Sequence, residues 1–179
     1  MAKRNLLAFD LGASNGRAIL GRFDGERLEM EELHRFETPS TDLNGVLYWD
    51  APAIFTHMKG ALAKFAALDQ GPLQGLGIDT WGVDYGLLDK NGNLLGLPRC
   101  YRDATDQDVE AVHRIVPQRT LFQRTGINAM NYNTAYQLYR RKREGDGALS
   151  AAKTLLFMPD LLGYFLTGEK ATEYTIATT

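Results

Sequence analysis

Apolar residues fall in short blocks at the start of the chain and at helical spacing further on. Residues 5–10 (Asn-Leu-Leu-Ala-Phe-Asp) form an apolar run closed by small and polar residues, the pattern of a buried strand. Leu11 to Gly16 reads as a turn, with Asn15-Gly16 as its hairpin signal. Residues 17–23 return as a second strand. After Asp24-Gly25, residues 27–36 form a third, alternating at Leu28, Met30 and Glu32. Three strands joined by two tight turns predict an antiparallel meander.

A helix is predicted from Asp50 to Leu68. Asp50 suits the N-cap and Pro52 the first turn, where a missing N–H costs nothing. Ile54, Met58, Ala61, Leu62, Phe65 and Leu68 then define one apolar face. Residues 73–79 and 83–88 read as a strand pair, the second followed by a turn at 89–93. Weaker helices are expected at 104–116 and 118–124, split by Pro117. A further helix runs from the cap Asn133 to about Glu144 and is closed by Gly145-Asp146-Gly147. A short strand at 153–157 leads into a helix opened by Pro159 and stopped near Thr167-Gly168. The order predicts a mixed α/β domain with a three-stranded antiparallel edge.

Composition narrows the function. The 179 residues carry 20 Lys+Arg and 22 Asp+Glu, a net charge of −2, which gives no electrostatic reason to hold nucleic acid or an anionic membrane. With 44% hydrophobic and 23% charged residues, the chain has the balance of a globular protein with a sizeable core. No stretch approaches the roughly 20 apolar residues of a membrane span. The single cysteine, Cys100, excludes an intrachain disulfide and reads as a small buried residue, which points to a reducing, cytoplasmic setting. His34, His57 and His113 are too scattered in sequence to suggest a metal site or a catalytic triad.

Three groups of residues can carry chemistry. In Asp10-Leu-Gly-Ala-Ser-Asn-Gly-Arg17, a carboxylate ends a strand and a turn of small residues offers backbone N–H groups. Such a nest suits phosphate, with Ser14 and Asn15 as side-chain donors, Arg17 as a planar cation and Asp10 as a ligand for Mg²⁺. The spacing is neither a Walker loop nor a dinucleotide fingerprint, and an ordinary hairpin with a surface aspartate fits equally well. In Gly77-Ile-Asp-Thr-Trp-Gly-Val-Asp-Tyr-Gly86, Asp79 and Asp84 bracket Trp81-Gly82. Gly82 allows close approach of a ligand, and Trp81 is a flat wall of the kind sugar pockets use. A strand–turn–strand arch with its aromatic in the core is the plainer alternative. In Tyr101-Arg-Asp103, Arg102 and Asp103 either pair at the surface or bind a polyol. Arg140-Arg-Lys-Arg143 reads as a solvated helix face.

The first group, Phe9-Asp-Leu-Gly-Ala-Ser-Asn-Gly-Arg17, resembles the phosphate motif of the FGGY carbohydrate kinases, members of the actin- and hexokinase-like superfamily. Gly77-Ile-Asp-Thr-Trp-Gly-Val-Asp84 is similar to the rhamnulokinase branch, which phosphorylates L-rhamnulose. The blocks 97–103, 122–127, 133–138, 158–168 and 173–179 match the same pattern, so the resemblance covers essentially the whole chain. It implies an α/β, ribonuclease H-like domain: residues 1–179 as most of an N-terminal domain, with ketose and ATP bound in a cleft against the protein's own C-terminal kinase domain. Ala13, Ser14, Asn15, Gly16 and Arg17 would then face the nucleotide phosphates and Asp10 would sit near Mg²⁺. Gly82 would contact the sugar, with Trp81, Asp84, Tyr101 and Arg102 nearby. The catalytic aspartate would lie beyond Thr179, so residues 1–179 alone are expected to be inactive. The implied reaction is in-line transfer of the γ-phosphoryl group to the ketose 1-hydroxyl. A kinase for fuculose, xylulose or ribulose, or a sugar- or phosphate-binding module without catalysis, are the competing expectations.

Overall fold

The computed structural model describes residues 3–178. Strand β1 (Arg4–Leu11) alternates as its sequence requires, turning Leu7, Phe9 and Leu11 into the core. It pairs antiparallel with β2 (Asn15–Phe23), which pairs antiparallel with β3 (Leu28–Glu37), so the expected meander is present. The reversal between β1 and β2 is made by residues 12–14. Asn15 and Gly16 already belong to β2, with Gly16 opposite Leu11, and the Gly12 amide donates to the Asn15 carbonyl at 2.9 Å. The Asn-Gly pair therefore sits beside the turn rather than at its tip. A side chain at Gly16 would press on Phe36 and Leu11, which explains the glycine there.

The strong Asn-Gly turn lies elsewhere. β4 (Ser40–Leu43) and β5 (Val46–Trp49) form a hairpin that the sequence reading missed, joined by Asn44-Gly45 with both residues at positive φ. That is the backbone a two-residue hairpin turn requires. The hairpin delivers Trp49, fully buried, to the start of α1 (Ala51–Ala67). Asp50 caps the helix by accepting from the Ala53 amide at 2.9 Å. Ile54, Met58, Ala61 and Phe65 then pack on Leu7, Phe9, Leu20 and Phe36 of the sheet. After α1 the chain returns as β6 (Leu73–Thr80), parallel to β1, giving the mixed order β3-β2-β1-β6. The face of this sheet away from α1 leaves Leu28 and Met30 exposed.

The expected pairing of 73–79 with 83–88 does not occur. β7 (Tyr85–Leu88) pairs antiparallel with β8 (Thr154–Phe157) in a separate two-stranded sheet. The cause is local. Val83 adopts φ +69, and the turn at Gly82-Val83 swings the chain off the first sheet. Between β7 and β8 come a 3₁₀ turn at Tyr101–Asp103, α2 (Asp106–His113), α3 (Gln118–Thr125), α4 (Thr134–Arg143) and the short α5 (Gly147–Ala151). Gly145 ends α4 at positive φ as expected, but Asp146 then caps α5 by accepting from the Leu149 amide. α6 (Met158–Thr167) follows β8 directly and ends on left-handed Gly168. Met158, Leu161 and Leu162 of α6 are fully buried. No helix among the described residues is long and apolar enough to cross a membrane.

Candidate functional site

Parallel strands β1 and β6 end side by side, at the edge where open α/β sheets hold ligands. Asp10 and Asp79 are partners in that register, and Asp10 faces Arg17 across the β1–β2 pair. The Arg17 guanidinium is ion-paired to Asp10, both side chains about 40% exposed. The turn beyond them is braced from the residue that follows β3: Thr38, buried, donates its hydroxyl to the Gly12 carbonyl at 2.7 Å and its amide to the Ser14 carbonyl at 3.2 Å. Among the described residues, the amides of Ala13 and Ser14 donate to no protein acceptor. Open backbone amides and a guanidinium are donors of the kind that hold phosphate oxygens. The Asp10 carboxylate is the group there that suits a divalent cation, with Asp79 next to it in register.

The second group forms a hollow of about 320 Å³ lined by Trp81, Gly82, Val83, Tyr101 and Tyr132. Its size and aromatic walls suit a monosaccharide. Val83 is the unusual element, a β-branched residue in the left-handed region, where strain of about 1–3 kcal/mol is held only by strong surroundings. The Val83 carbonyl accepts from the Thr134 hydroxyl at 2.7 Å and from Gln137 at 3.3 Å, both on α4. A larger open depression, about 700 Å³, lies beside α6 and is lined in part by Asp79, Asp160 and Glu173. Its three carboxylates would repel a phosphate.

Arg102 joins the two groups. Its guanidinium donates to the Ala13 carbonyl at 2.8 Å and lies 5.5 Å from the Trp49 ring and 5.9 Å from the Tyr101 ring. One side chain thus spans from the phosphate-type turn to the wall of the hollow. Arg102 does not pair with Asp103, whose carboxylate accepts from the Leu47 amide.

Asp84 requires a correction. Only 1% exposed, it does not line the hollow, and its carboxylate is filled by four N–H donors. Oδ2 accepts from Trp49 Nε1 at 2.5 Å, Trp81 Nε1 at 3.1 Å and the Tyr101 amide at 3.1 Å, while Oδ1 accepts from Gln137 Nε2 at 2.9 Å. Burial pushes its pKa up to about 6 against those hydrogen bonds. The basic run is a solvated face only in part: Lys142 and Arg143 are exposed, while Arg140 and Arg141 are not. Arg141 is buried and pairs with Asp146 at 2.8 Å, Arg140 with Glu144 at 2.9 Å and Arg143 with Asp108 at 2.8 Å. Two of the scattered histidines meet in space, His34 Nε2 lying 3.3 Å from His57 Nδ1 with Lys64 beside them. Among the described residues no group of three His, Cys, Asp or Glu side chains could hold a metal ion. Cys100 is buried as expected, and burial pushes its thiol up to about 11.

The family model for the FGGY family of carbohydrate kinases, N-terminal domain, matches residues 5–179. The chain belongs to the FGGY family of carbohydrate kinases. Curated FGGY relatives named rhamnulokinase include one from Bacteroides thetaiotaomicron, 45% identical over 178 residues, covering 99% of this chain and 36% of that protein. Another, from Halalkalibacterium halodurans, is 40% identical over 174 residues, covering 97% of this chain and 37% of its own length. The chain therefore spans little more than a third of these relatives. Solved FGGY structures share the fold. A xylulose kinase from Lactobacillus acidophilus superposes with a TM-score of 0.83 at 15% identity, over 98% of this chain and 36% of that one. A xylulose kinase from Rhodospirillum rubrum gives 0.80 at 20% identity, over 95% and 36%. The mixed α/β fold is thus that of the N-terminal domain of the FGGY carbohydrate kinases.

Within this FGGY domain, the structure places Asp10 and residues 13–17 together at the β1–β2 turn, and Trp81, Gly82 and Tyr101 together at the hollow, with Arg102 between. The sequence reading missed Thr38, Trp49, Tyr132 and Gln137. Only the Asn44-Gly45 turn signal was available to bring Trp49 into view. Tyr132 and Gln137 reach the site through the packing of α4, which no local pattern announces.

Proposed function

We propose that this chain is the sugar- and phosphate-facing part of a kinase that transfers the γ-phosphoryl group of ATP to the 1-hydroxyl of L-rhamnulose. The single observation carrying this is Arg102, whose guanidinium bridges the phosphate-type turn and the aromatic hollow. One side chain therefore links the turn to the wall of the hollow, which supports a single reaction served by both. The rhamnulokinase names of the relatives support L-rhamnulose, and the small Gly82 and compact, apolar Val83 leave room for that ketose.

In this reading the Ala13 and Ser14 amides and Arg17 hold the phosphate oxygens and oppose the charge that builds on them during transfer. Asp10 holds Mg²⁺, which when bound neutralises phosphate charge. Trp81, Gly82 and Tyr101 hold the sugar, and Arg102 orients its reacting end toward the turn. Asp84, enclosed by N–H donors, has no access to a substrate hydroxyl. The family resemblance implies that the group taking the hydroxyl proton, and the adenine pocket, belong to the part of the protein beyond Thr179, and we assign them there. Residues 1–179 alone should release no ADP. A kinase using ATP in sugar catabolism belongs in the cytoplasm.

Filling the hollow tests the sugar assignment. In the protein of full family length, Gly82→Leu is expected to raise the ketose KM at least tenfold while the ATP KM stays within about twofold, read by a coupled assay of ADP release. An unchanged ketose KM would remove the sugar from this hollow.

A further inference from the structure

Asp84 and Gln137 lie beneath the hollow and hold every wall of it. The carboxylate of Asp84 accepts from Trp81 in one wall, from the backbone of Tyr101 in another and from Trp49 behind both. Gln137 Nε2 reaches Asp84 Oδ1 at 2.9 Å, the Tyr132 carbonyl at 2.9 Å and the Val83 carbonyl at 3.3 Å. Two N–H bonds thus serve three acceptors, one on each remaining wall and one on the carboxylate. Asp84 must present acceptors on both oxygens, which only an ionised carboxylate of this size does. Asparagine would turn an NH₂ group against N–H donors on one side or the other.

We propose that Asp84 and Gln137 are positioning residues for ketose recognition: they fix Trp81, Val83, Tyr101 and Tyr132 as the walls of the hollow and act on the sugar only through them. The inference rests on the kinase reading for the identity of the ligand, and on the hydrogen bonds alone for the coupling between carboxylate and walls. Those two parts can be separated experimentally.

The coupling has its own signal. Both tryptophans of the 179-residue chain, Trp49 and Trp81, donate to Asp84. Protonating a carboxylate among four N–H donors removes one of its acceptor sites, so lowering the pH through about 6 should change tryptophan emission. Other ionisable groups on the surrounding elements are Tyr85 at the start of β7, Cys100, Tyr101, Arg102 and Asp103 around the 3₁₀ turn, Tyr132, Tyr136, Arg140 and Arg141 on α4, and His113 of α2, whose Nε2 lies 3.0 Å from the Tyr136 hydroxyl; the Asp84→Asn comparison separates His113 from the carboxylate. Burial pushes Tyr85 upward and the Cys100 thiol to about 11, away from that range. His34 and His57 lie at the β3–α1 contact, and the Asp84→Asn comparison separates them from the carboxylate.

Two experiments follow. In the 179-residue chain, emission is expected to titrate with a midpoint near pH 6, and Asp84→Asn is expected to remove that transition; a transition unchanged in Asp84→Asn overturns the coupling. In the protein of full family length, Asp84→Asn and Gln137→Met are each expected to raise the ketose KM about tenfold, with the ATP KM within twofold and kcat changed less than KM. Gln137 is half-buried, so Gln137→Met keeps the test decisive if Asp84→Asn does not fold. A folded Gln137→Met protein with the original ketose KM overturns the proposal. If the unaltered protein turns over no ketose, the kinase reading fails while the emission experiment still decides the coupling.

Discussion

Arg17→Ala, in the protein of full family length, is expected to lower turnover with ketose by about 100-fold, close to 3 kcal/mol of transition-state stabilisation, with the ketose KM within about threefold. The expectation follows from position. Arg17 is the third residue of β2, just after the turn with the open Ala13 and Ser14 amides, and it is ion-paired to Asp10 at the end of β1. Removing the guanidinium takes away a bidentate donor for phosphate oxygens. It also removes the guanidinium that pairs with Asp10 and so loosens the placement of that carboxylate beside the turn. Because Arg17 lies at the turn and not in the hollow, sugar affinity should survive. Arg17→Lys should recover part of the rate, since the charge returns without the planar fork. Initial rates over a ketose titration check this, and unchanged turnover in Arg17→Ala would overturn the role.

Trp49→Ala is expected to be the most damaging single change to stability, about 3–5 kcal/mol, lowering the melting temperature of the 179-residue chain by roughly 10 °C or more. Trp49 is fully buried, packs on Trp81 with ring centroids 4.2 Å apart, and donates its indole N–H to Asp84. Its backbone also ties β5 to the Pro98 carbonyl at 2.9 Å. Alanine would leave both a large void and a buried acceptor short of one donor. Trp49→Phe keeps most of the volume and loses the N–H, so it should cost clearly less. Thermal unfolding followed by circular dichroism separates the two. A melting temperature within 2 °C of the original for Trp49→Ala would contradict the packing described.

The parts of the fold legible in the sequence are those governed by local chemistry. The strand β1 declares itself by a closed apolar run, α1 by its Asp50 cap and helical spacing, and Gly168 by its place after the last apolar turn. The β4–β5 hairpin was equally local, but its Asn44-Gly45 signal stands between strands of only four residues each, too short for alternation to show. The pairing of β7 was not legible, because it depends on Val83 adopting a conformation that β-branched residues avoid. What enforces it is distant: Thr134 and Gln137 hold the Val83 carbonyl from α4.

The candidate site divides in the same way. Residues 13–17 and 81–82 are adjacent in sequence, so motif and geometry coincide. Asp84 falls within the same motif, yet alternation alone cannot distinguish a carboxylate facing a ligand from one facing two indoles. Its four donors come from β5, the Trp81 turn, the 3₁₀ turn and α4, and only the assembled fold brings them together. The reach of Arg102 to Ala13, across 89 positions of sequence, is of the same kind.

The most direct measurement is phosphoryl transfer by the protein of full family length. Mg-ATP and L-rhamnulose would be supplied, ADP release followed, and the product examined by phosphorus NMR. ADP release that depends on the ketose, far faster than with water alone, is expected, together with a new phosphomonoester resonance from the sugar 1-phosphate. L-Rhamnulose bound in the hollow with no ketose-dependent ADP and no phosphomonoester would contradict it.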